Sequence, residues 1–344
     1  MSTVLVYAPA LDHTQEGHPE SSARLKGLLP VLDKFGVLPE LKLIHPIPAT
    51  IEQLQRAHTA GLVAYVRQVS RQGGGLLDYG DTYATAESYD LALLAAGSCC
   101  AAIDALMTGQ ADNGFALVRP PGHHAETDRA GGFCLFNNVA IAARQAQTVH
   151  GAKRVFILDF DVHHGNGTQD IFYQDANVLF TSIHLFAPYF YPGVGSLGET
   201  GAAKGQGYTI NVPLPPRVGD EGYGRIFEEV VRPKVSAFKP DVMLVSIGFD
   251  AHWQDPLAMA GLTLTGYARL ARVLLAMAGT VCDGRILFVL EGGYRLEALR
   301  YGILNVIHAL LGRDDIHDPL GPMPYLEQDI SPLLQQLKER HLLY

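Results

Sequence analysis

Cysteine is scarce in this sequence, and the little there is shows no pattern. The four cysteines are Cys99, Cys100, Cys134 and Cys282. Two are adjacent and none forms a C-x-x-C pair, which argues against a disulfide frame or a zinc knuckle and leaves reduced core residues. Basic clusters are missing as well. With a formal net charge of −9 and no run of lysine or arginine, the chain is unsuited to sustained contact with nucleic-acid phosphates or an anionic membrane, and compatible with release of a cationic product. No apolar run reads as a membrane span. The opening MSTVLVYAPALDH has neither a basic segment nor enough apolar length for a secretory leader, so the expectation is a cytoplasmic chain. Linkers, repeats and low-complexity tracts are also lacking. One domain over 1–344 is therefore expected, although 344 residues is long for one.

What is present is apolar material in short runs. Hydrophobic residues make up 48% of the chain and charged ones 18%, enough to bury a large core. Unalternating β-rich runs occur at Val4–Tyr7, Phe115–Val118, Val155–Phe160, Val178–Ile183, Val242–Ile247 and Ile286–Leu290, the pattern of strands buried on both faces of a parallel sheet. Helical stretches lie between them at Ser88–Met107, Asn138–His150, Tyr223–Phe238 and Thr265–Ala278. This alternation predicts an α/β fold with helices on both faces of the sheet. The tail Ile330–Tyr344 is amphipathic and reads as a packed terminal helix, with an interaction segment as the alternative.

The polar residues of interest sit where the expected strands end. The segments FILDFDVHH, VSIGFDAH and VLEGGY each leave a strand at its carboxyl end, the side on which open parallel sheets bind ligands. If the backbone stays extended, Asp159, Asp161 and His163 point to one side, so an aspartate and a histidine two residues apart can share a metal. Asp250 would add a third ligand and leave a coordination position open, the mark of a catalytic site. A single strand-end aspartate more often caps a helix or binds loop backbone. Several together are expensive to bury unless paired or bound to a cation.

The stretch LVRPPGHHAETDRAGGFCLFNN, Leu117 to Asn138, uses its prolines and Gly122 to present His123 and His124 on a stiff loop. Paired imidazoles can divide proton abstraction and donation between them, or else be two more metal ligands or surface histidines. Tyr294, in GGY, either donates to a developing oxyanion or is simply packed.

Taken together, HPE at His18–Glu20 with Arg24, RPPGHHA, GGFCLFNN, DFDVHHGNGT, SIH at Ser182–His184, GFDAHWQDPL and LEGGY resemble the zinc-dependent histone deacetylase family. The likeness is to its class II type, which includes bacterial deacetylase-like amidohydrolases and acetylpolyamine amidohydrolases, and it runs from about residue 13 to about residue 310. The resemblance implies the three-layer α/β/α arginase/deacetylase fold around a mainly parallel sheet. It implies one Zn2+ per chain at Asp161, His163 and Asp250, His123 and His124 as the tandem histidines, and Tyr294 as the oxyanion tyrosine. Asp159 would bond His123 and, with Ser182 and the backbone of Asp161, His163 and Ile183, hold a structural K+ or Na+. A second monovalent ion would use backbone near Phe172, Asp175, Val178 and Tyr208. Gly132, Phe133 and Tyr191 would line the acyl tunnel, Leu257 would sit at its rim, and Asp81 would grip substrate backbone.

Asn166 stands where class I members carry an aspartate beside the second histidine, so His124 is expected to be less basic than in that class. The implied reaction removes acetyl or other acyl groups from lysine in proteins or peptides, or from a related small amine. His124 would serve as base and then acid, with His123 as electrostatic helper. Three alternatives stand beside it: an acetylpolyamine or other small-amide deacetylase, a non-catalytic acyl-lysine reader, and a two-metal ureohydrolase. The last would want carboxylates where the chain has Gly165 and His252. A homo-oligomer is compatible with the sequence.

Overall fold

The computed structural model describes residues 2–343. In chain order its strands are β1 (Thr3–Ala8), β2 (Leu41–Ile44), β3 (Gly74–Leu76), β4 (Tyr83–Thr85), β5 (Asn113–Val118), β6 (Val155–Asp159), β7 (Val178–Leu185), β8 (Thr209–Leu214), β9 (Val242–Ile247) and β10 (Ile286–Leu290). Eight of them form one sheet in the order β2-β1-β5-β10-β9-β6-β7-β8, every neighbouring pair parallel. β3 and β4 make a separate antiparallel pair.

The unalternating apolar runs are explained by burial on both faces. Within β6, Phe156 and Leu158 enter one core while Val155 and Ile157 enter the other. Each fully buried aliphatic or aromatic side chain contributes roughly 1.5–3 kcal/mol over exposure, so a strand with two apolar faces belongs in mid-sheet. Helices Leu28–Lys34, Leu264–Val281, Leu296–Leu310 and Ser331–His341 cover the first core; Ala60–Arg71, Ser88–Met107 and Asn138–His150 cover the second. The tail helix packs through Leu334 and Leu337.

The two edge strands escape a reading by apolar runs. β2 buries only Leu41, and β8 carries Pro213. Proline has no N–H for a ladder, which an edge strand tolerates and a central one does not. The expected helix Tyr223–Phe238 is instead three pieces: Asp220–Ile226, a π-helical turn at Phe227–Val231, and Arg232–Phe238. Pro233, which supplies no N–H and crowds the preceding turn, accounts for the widened register.

One expectation is overturned. The helix Ser88–Met107 is, by length and composition, apolar enough to cross a membrane. Its place in the fold explains the composition: Ala95, Ala96, Cys99 and Ile103 are wholly buried, and the helix packs on Asn138–His150 and β1. All four cysteines are free and buried, as expected.

The sheet order also locates the functional cleft. From β6 the chain crosses to β7 on one side, and from β9 it crosses to β10 on the other, although β6 and β9 are adjacent. Such a switch point opens a crevice at the carboxyl ends of the strands, here between the segment after Asp159 and the segment after Ile247.

Candidate active site

Asp161, His163 and Asp250 meet in that crevice, with one donor atom from each lying within 4.8 Å of the others. The route differs from simple strand alternation. β6 stops at Asp159, and Phe160–His163 bends. The bend is held by the aspartates themselves: Asp159 Oδ1 accepts the Asp161 N–H at 3.2 Å and Asp161 Oδ1 accepts the His163 N–H at 2.8 Å. Short aspartate-to-backbone bonds two residues on are a turn chemistry that needs no strand.

The donor set fits a cation. Both carboxylates are fully buried. Asp161 Oδ2 accepts the Gly292 N–H at 2.7 Å and Asp250 Oδ1 the Val162 N–H at 3.0 Å, whereas Asp250 Oδ2 accepts no hydrogen bond among the described residues. That oxygen and Asp161 Oδ1 each lie 3.2 Å from His163 Nδ1. Two buried carboxylates around one imidazole, with an orphaned oxygen, call for a positive charge between them. Burial opposes a charge on His163, and the two carboxylates outweigh it and raise it to about 9. Glycine closes the pocket floor, since a Cβ on Gly248 or Gly292 would collide with these carboxylates.

The tandem histidines lie beside the set, their rings 3.9 Å apart. His123 Nδ1 is 2.9 Å from Asp159 Oδ2 and His124 Nδ1 is 2.7 Å from Asn166 Oδ1. Their basicities diverge. Burial acts against a charge on His123, yet Asp159 and Asp161 prevail and lift it to about 10. Burial, with His123 and His163 as neighbouring cations, holds His124 well below the ordinary imidazole value.

A second set, His123, Cys134 and Glu291, is equally compact, but its groups are committed. Glu291 accepts from the N–H of Gly122 and of His123 and from the Ser246 hydroxyl, and Cys134 Sγ donates to the Gly132 carbonyl. Gly165 and His252, each two residues beyond a member of the first set, bring no further carboxylate.

The match to known proteins follows this geometry. Residues 18–310 fit the model of the histone deacetylase domain. The chain belongs to the histone deacetylase family. It is 40% identical to the chloroplastic histone deacetylase 14 of Arabidopsis thaliana, over 98% of this chain and 85% of that one. Identity is 41% to a probable deacetylase of Archaeoglobus fulgidus, over 94% and 90%, and 39% to the histone deacetylase-like amidohydrolase of Pseudomonas aeruginosa, over 91% and 82%. The crystal structure of the HDA15 HD domain superposes with a TM-score of 0.89 at 40% identity, covering 99% of this chain and 96% of that one. The fold is thus the arginase/deacetylase fold, and the chain is a hydrolase of the deacetylase family.

The remaining site residues of this deacetylase-family chain are distributed as follows. Tyr294 packs edge-on to Phe133 at 6.0 Å under the Arg24 guanidinium, and burial raises its phenol well above the ordinary value. Tyr191 meets His124 edge-on at 4.9 Å. Phe133, at φ +69°, follows Gly132 at φ +53° and donates its N–H to Thr82, a strained backbone of the kind that persists at functional sites. Leu257 is 38% exposed. Asp81 is exposed and close enough to act on the Tyr191 phenol. Ser182 stands beside Asp159 in the ladder, its hydroxyl 2.9 Å from His184 Nδ1. The carbonyls of Phe172, Asp175 and Tyr208 each accept a backbone N–H, and that of Asp175 is bonded by Val178.

Three positioning groups were not assigned roles in the sequence. Arg24, buried and ion-paired to Glu20, donates to the Gly293 and Glu291 carbonyls at 2.9 and 2.5 Å and so clamps the turn that carries Tyr294. Arg119 pairs with the same Glu20 at 2.6 Å. Asp255 is buried and accepts from the N–H groups of Tyr294, Arg295 and Leu257, tying the Leu257 segment to the Tyr294 turn. Both Glu20 and Asp255 lie inside quoted motifs, but a motif does not tell which backbone it holds.

Proposed function

We propose that the chain is a zinc-dependent deacylase that removes acetyl or other acyl groups from the ε-amine of lysine or from a related amine. The observation that carries it is the three-donor set Asp161, His163 and Asp250, with an orphaned carboxylate oxygen, beside two histidines of divergent basicity. Zinc held there supplies Lewis acidity toward an amide carbonyl and lowers the pKa of water. The chain's own residues do the rest. His124 stays neutral, takes the proton from water and returns it to the leaving amine. His123, kept cationic by Asp159, stabilises developing negative charge without exchanging protons. Tyr294 keeps its proton and donates to the oxyanion. Phe133 and Tyr191 hold the acyl chain, and Arg24 and Asp255 hold the tyrosine turn. Asp159 and Ser182 would also hold a monovalent cation, which fits their adjacent places at the end of β6 and in β7.

The preferred substrate on this reading is an acylated lysine, or an acylated amine with a neutral far end. Leu257 offers the rim apolar contact. Asp255, which would otherwise be a carboxylate for a distal ammonium, is buried and fully used by backbone amides. The polyamine alternative draws on the exposed Asp81 or on a carboxylate from a partner subunit. The test is a comparison of kcat/KM for an acetyl-lysine peptide, longer acyl-lysines, acetylputrescine and acetylspermidine, before and after chelation. The lysine peptide should lead and chelation should abolish turnover. Higher kcat/KM for the polyamines would overturn the substrate, full activity without metal would overturn zinc, and no turnover of any would favour a reader.

A further inference from the structure

The bond from Asn166 to His124 continues outward. Asn166 Nδ2 donates to Glu126 Oε1 at 2.8 Å, and Glu126 is ion-paired through its other oxygen to Arg129. A cavity of about 450 Å³, lined by Asp78, Tyr191, His124, Glu126 and Asn166 among others, runs along this chain of bonds.

An asparagine amide can turn over, because its oxygen and nitrogen ends have the same shape. With the oxygen toward His124, the imidazole must carry its proton on Nδ1 and leaves Nε2 as a lone pair. With the nitrogen toward His124, Nδ1 must accept, the proton moves to Nε2, and the ring can no longer take a proton there. Asn166 alone does not choose. Glu126 does, since an ionised carboxylate accepts only and the NH2 end is the one group that can face it. An aspartate in the place of Asn166 would have needed no such partner, because both its oxygens accept.

We propose that Glu126 is a positioning residue that sets the tautomer of His124 by orienting the Asn166 amide. The proposal rests on His124 being the base in the reading above, and it names what that base depends on. Arg129, 73% exposed in its side chain, only neutralises Glu126 from outside.

The experiment is a set of four variants of the full, zinc-loaded chain: E126A, N166D, E126A with N166D, and R129A, measured for kcat and KM on an acetyl-lysine peptide. E126A should lower kcat ~10–100-fold, the usual effect of a group that orients an active-site residue through one bond, with KM within about twofold. Adding N166D to E126A should recover most of that loss, because a carboxylate at 166 cannot donate to His124. R129A, which leaves the acceptor in place, should stay within about threefold of the parent. A double variant no faster than E126A would overturn the proposal, since a purely structural role for Glu126 is not repaired at position 166. Nitrogen-15 shifts of His124 give a readout independent of turnover: Nδ1–H in the parent and the double variant, a mixture with Nε2–H in E126A. An unchanged tautomer in E126A would overturn the proposal even if the protein proved not to be a deacylase.

Discussion

His123 and His124 are neighbours in sequence with rings 3.9 Å apart, and they live in different surroundings. Around His123 stand three closed-in carboxylates: Asp159, Asp161 and Glu291 are all fully buried. Behind His124 stands a neutral amide, then Glu126 and Arg129 at a solvent-reaching cavity. One imidazole is raised to about 10 and the other is pushed well below its ordinary value. Basicity here is set by the charge of the partner rather than by residue type. Burial holds the second imidazole neutral, and the cationic first one adds to the effect.

The harshest way to break the comparison is to remove one donor of the three-donor set that lies beside both histidines. Asp250→Ala should lose bound zinc, read by metal analysis, and with it all measurable turnover. Retention of one metal per chain would remove Asp250 from the ligand set.

The next largest effect separates the two histidines. His124→Ala should lower kcat roughly 10²–10⁴-fold, as for loss of a general base, and His123→Ala less. The reverse order would move the base role to His123 and undo the reading of their surroundings.

A third buried histidine sharpens the contrast through stability. His58 Nδ1 donates to the Glu126 carbonyl at 2.9 Å and Nε2 accepts the Asn137 N–H at 2.8 Å, so it is built in neutral. Burial lowers it from 6.5 to about 4. A histidine depressed in the folded state leaves the unfolded chain the stronger proton binder, so its contribution is intact above pH ~6.5 and lost as pH falls toward ~4. The full loss is about 3 kcal/mol. Denaturant unfolding at pH 7.5 and 4.5 should show a smaller pH penalty in His58→Gln than in the parent. An equal penalty would mean that His58 carries none of it.

The smallest effect is at the rim. Leu257→Glu should leave kcat for an acetyl-lysine peptide within a few-fold and raise relative kcat/KM for acetylspermidine by roughly 5–10-fold, about 1 kcal/mol for a partly exposed charge pair. No change in the ratio would place Leu257 away from the substrate path.

Much of this molecule was legible before folding. The central strands were readable because residues buried on both faces must be apolar at every position, a property visible in any window of the chain. The donor types were readable for the same local reason, since aspartates and histidines crowded at strand ends carry a cost that only pairing or a cation offsets. The edge strands β2 and β8 were not readable, since one half-solvated and one proline-bearing strand have no such signature. The helix Ser88–Met107 was readable with the bounds it has; its composition alone suits a lipid or a protein interior equally.

What only the tertiary structure decided is who meets whom. Asp250 reaches Val162 across 88 residues and Asp161 reaches Gly292 across 131, because β6 and β9 are neighbours whose connections leave in opposite directions. The commitment of Asp255 to the Tyr294 and Arg295 amides and the turn of Asn166 toward Glu126 each depend on a partner brought in from a distant part of the chain. Local sequence sets which groups can bind, donate or accept, since those are properties of single side chains. Packing selects the partner, because a hydrogen bond or a shared cation requires distances of a few ångströms that no linear spacing encodes.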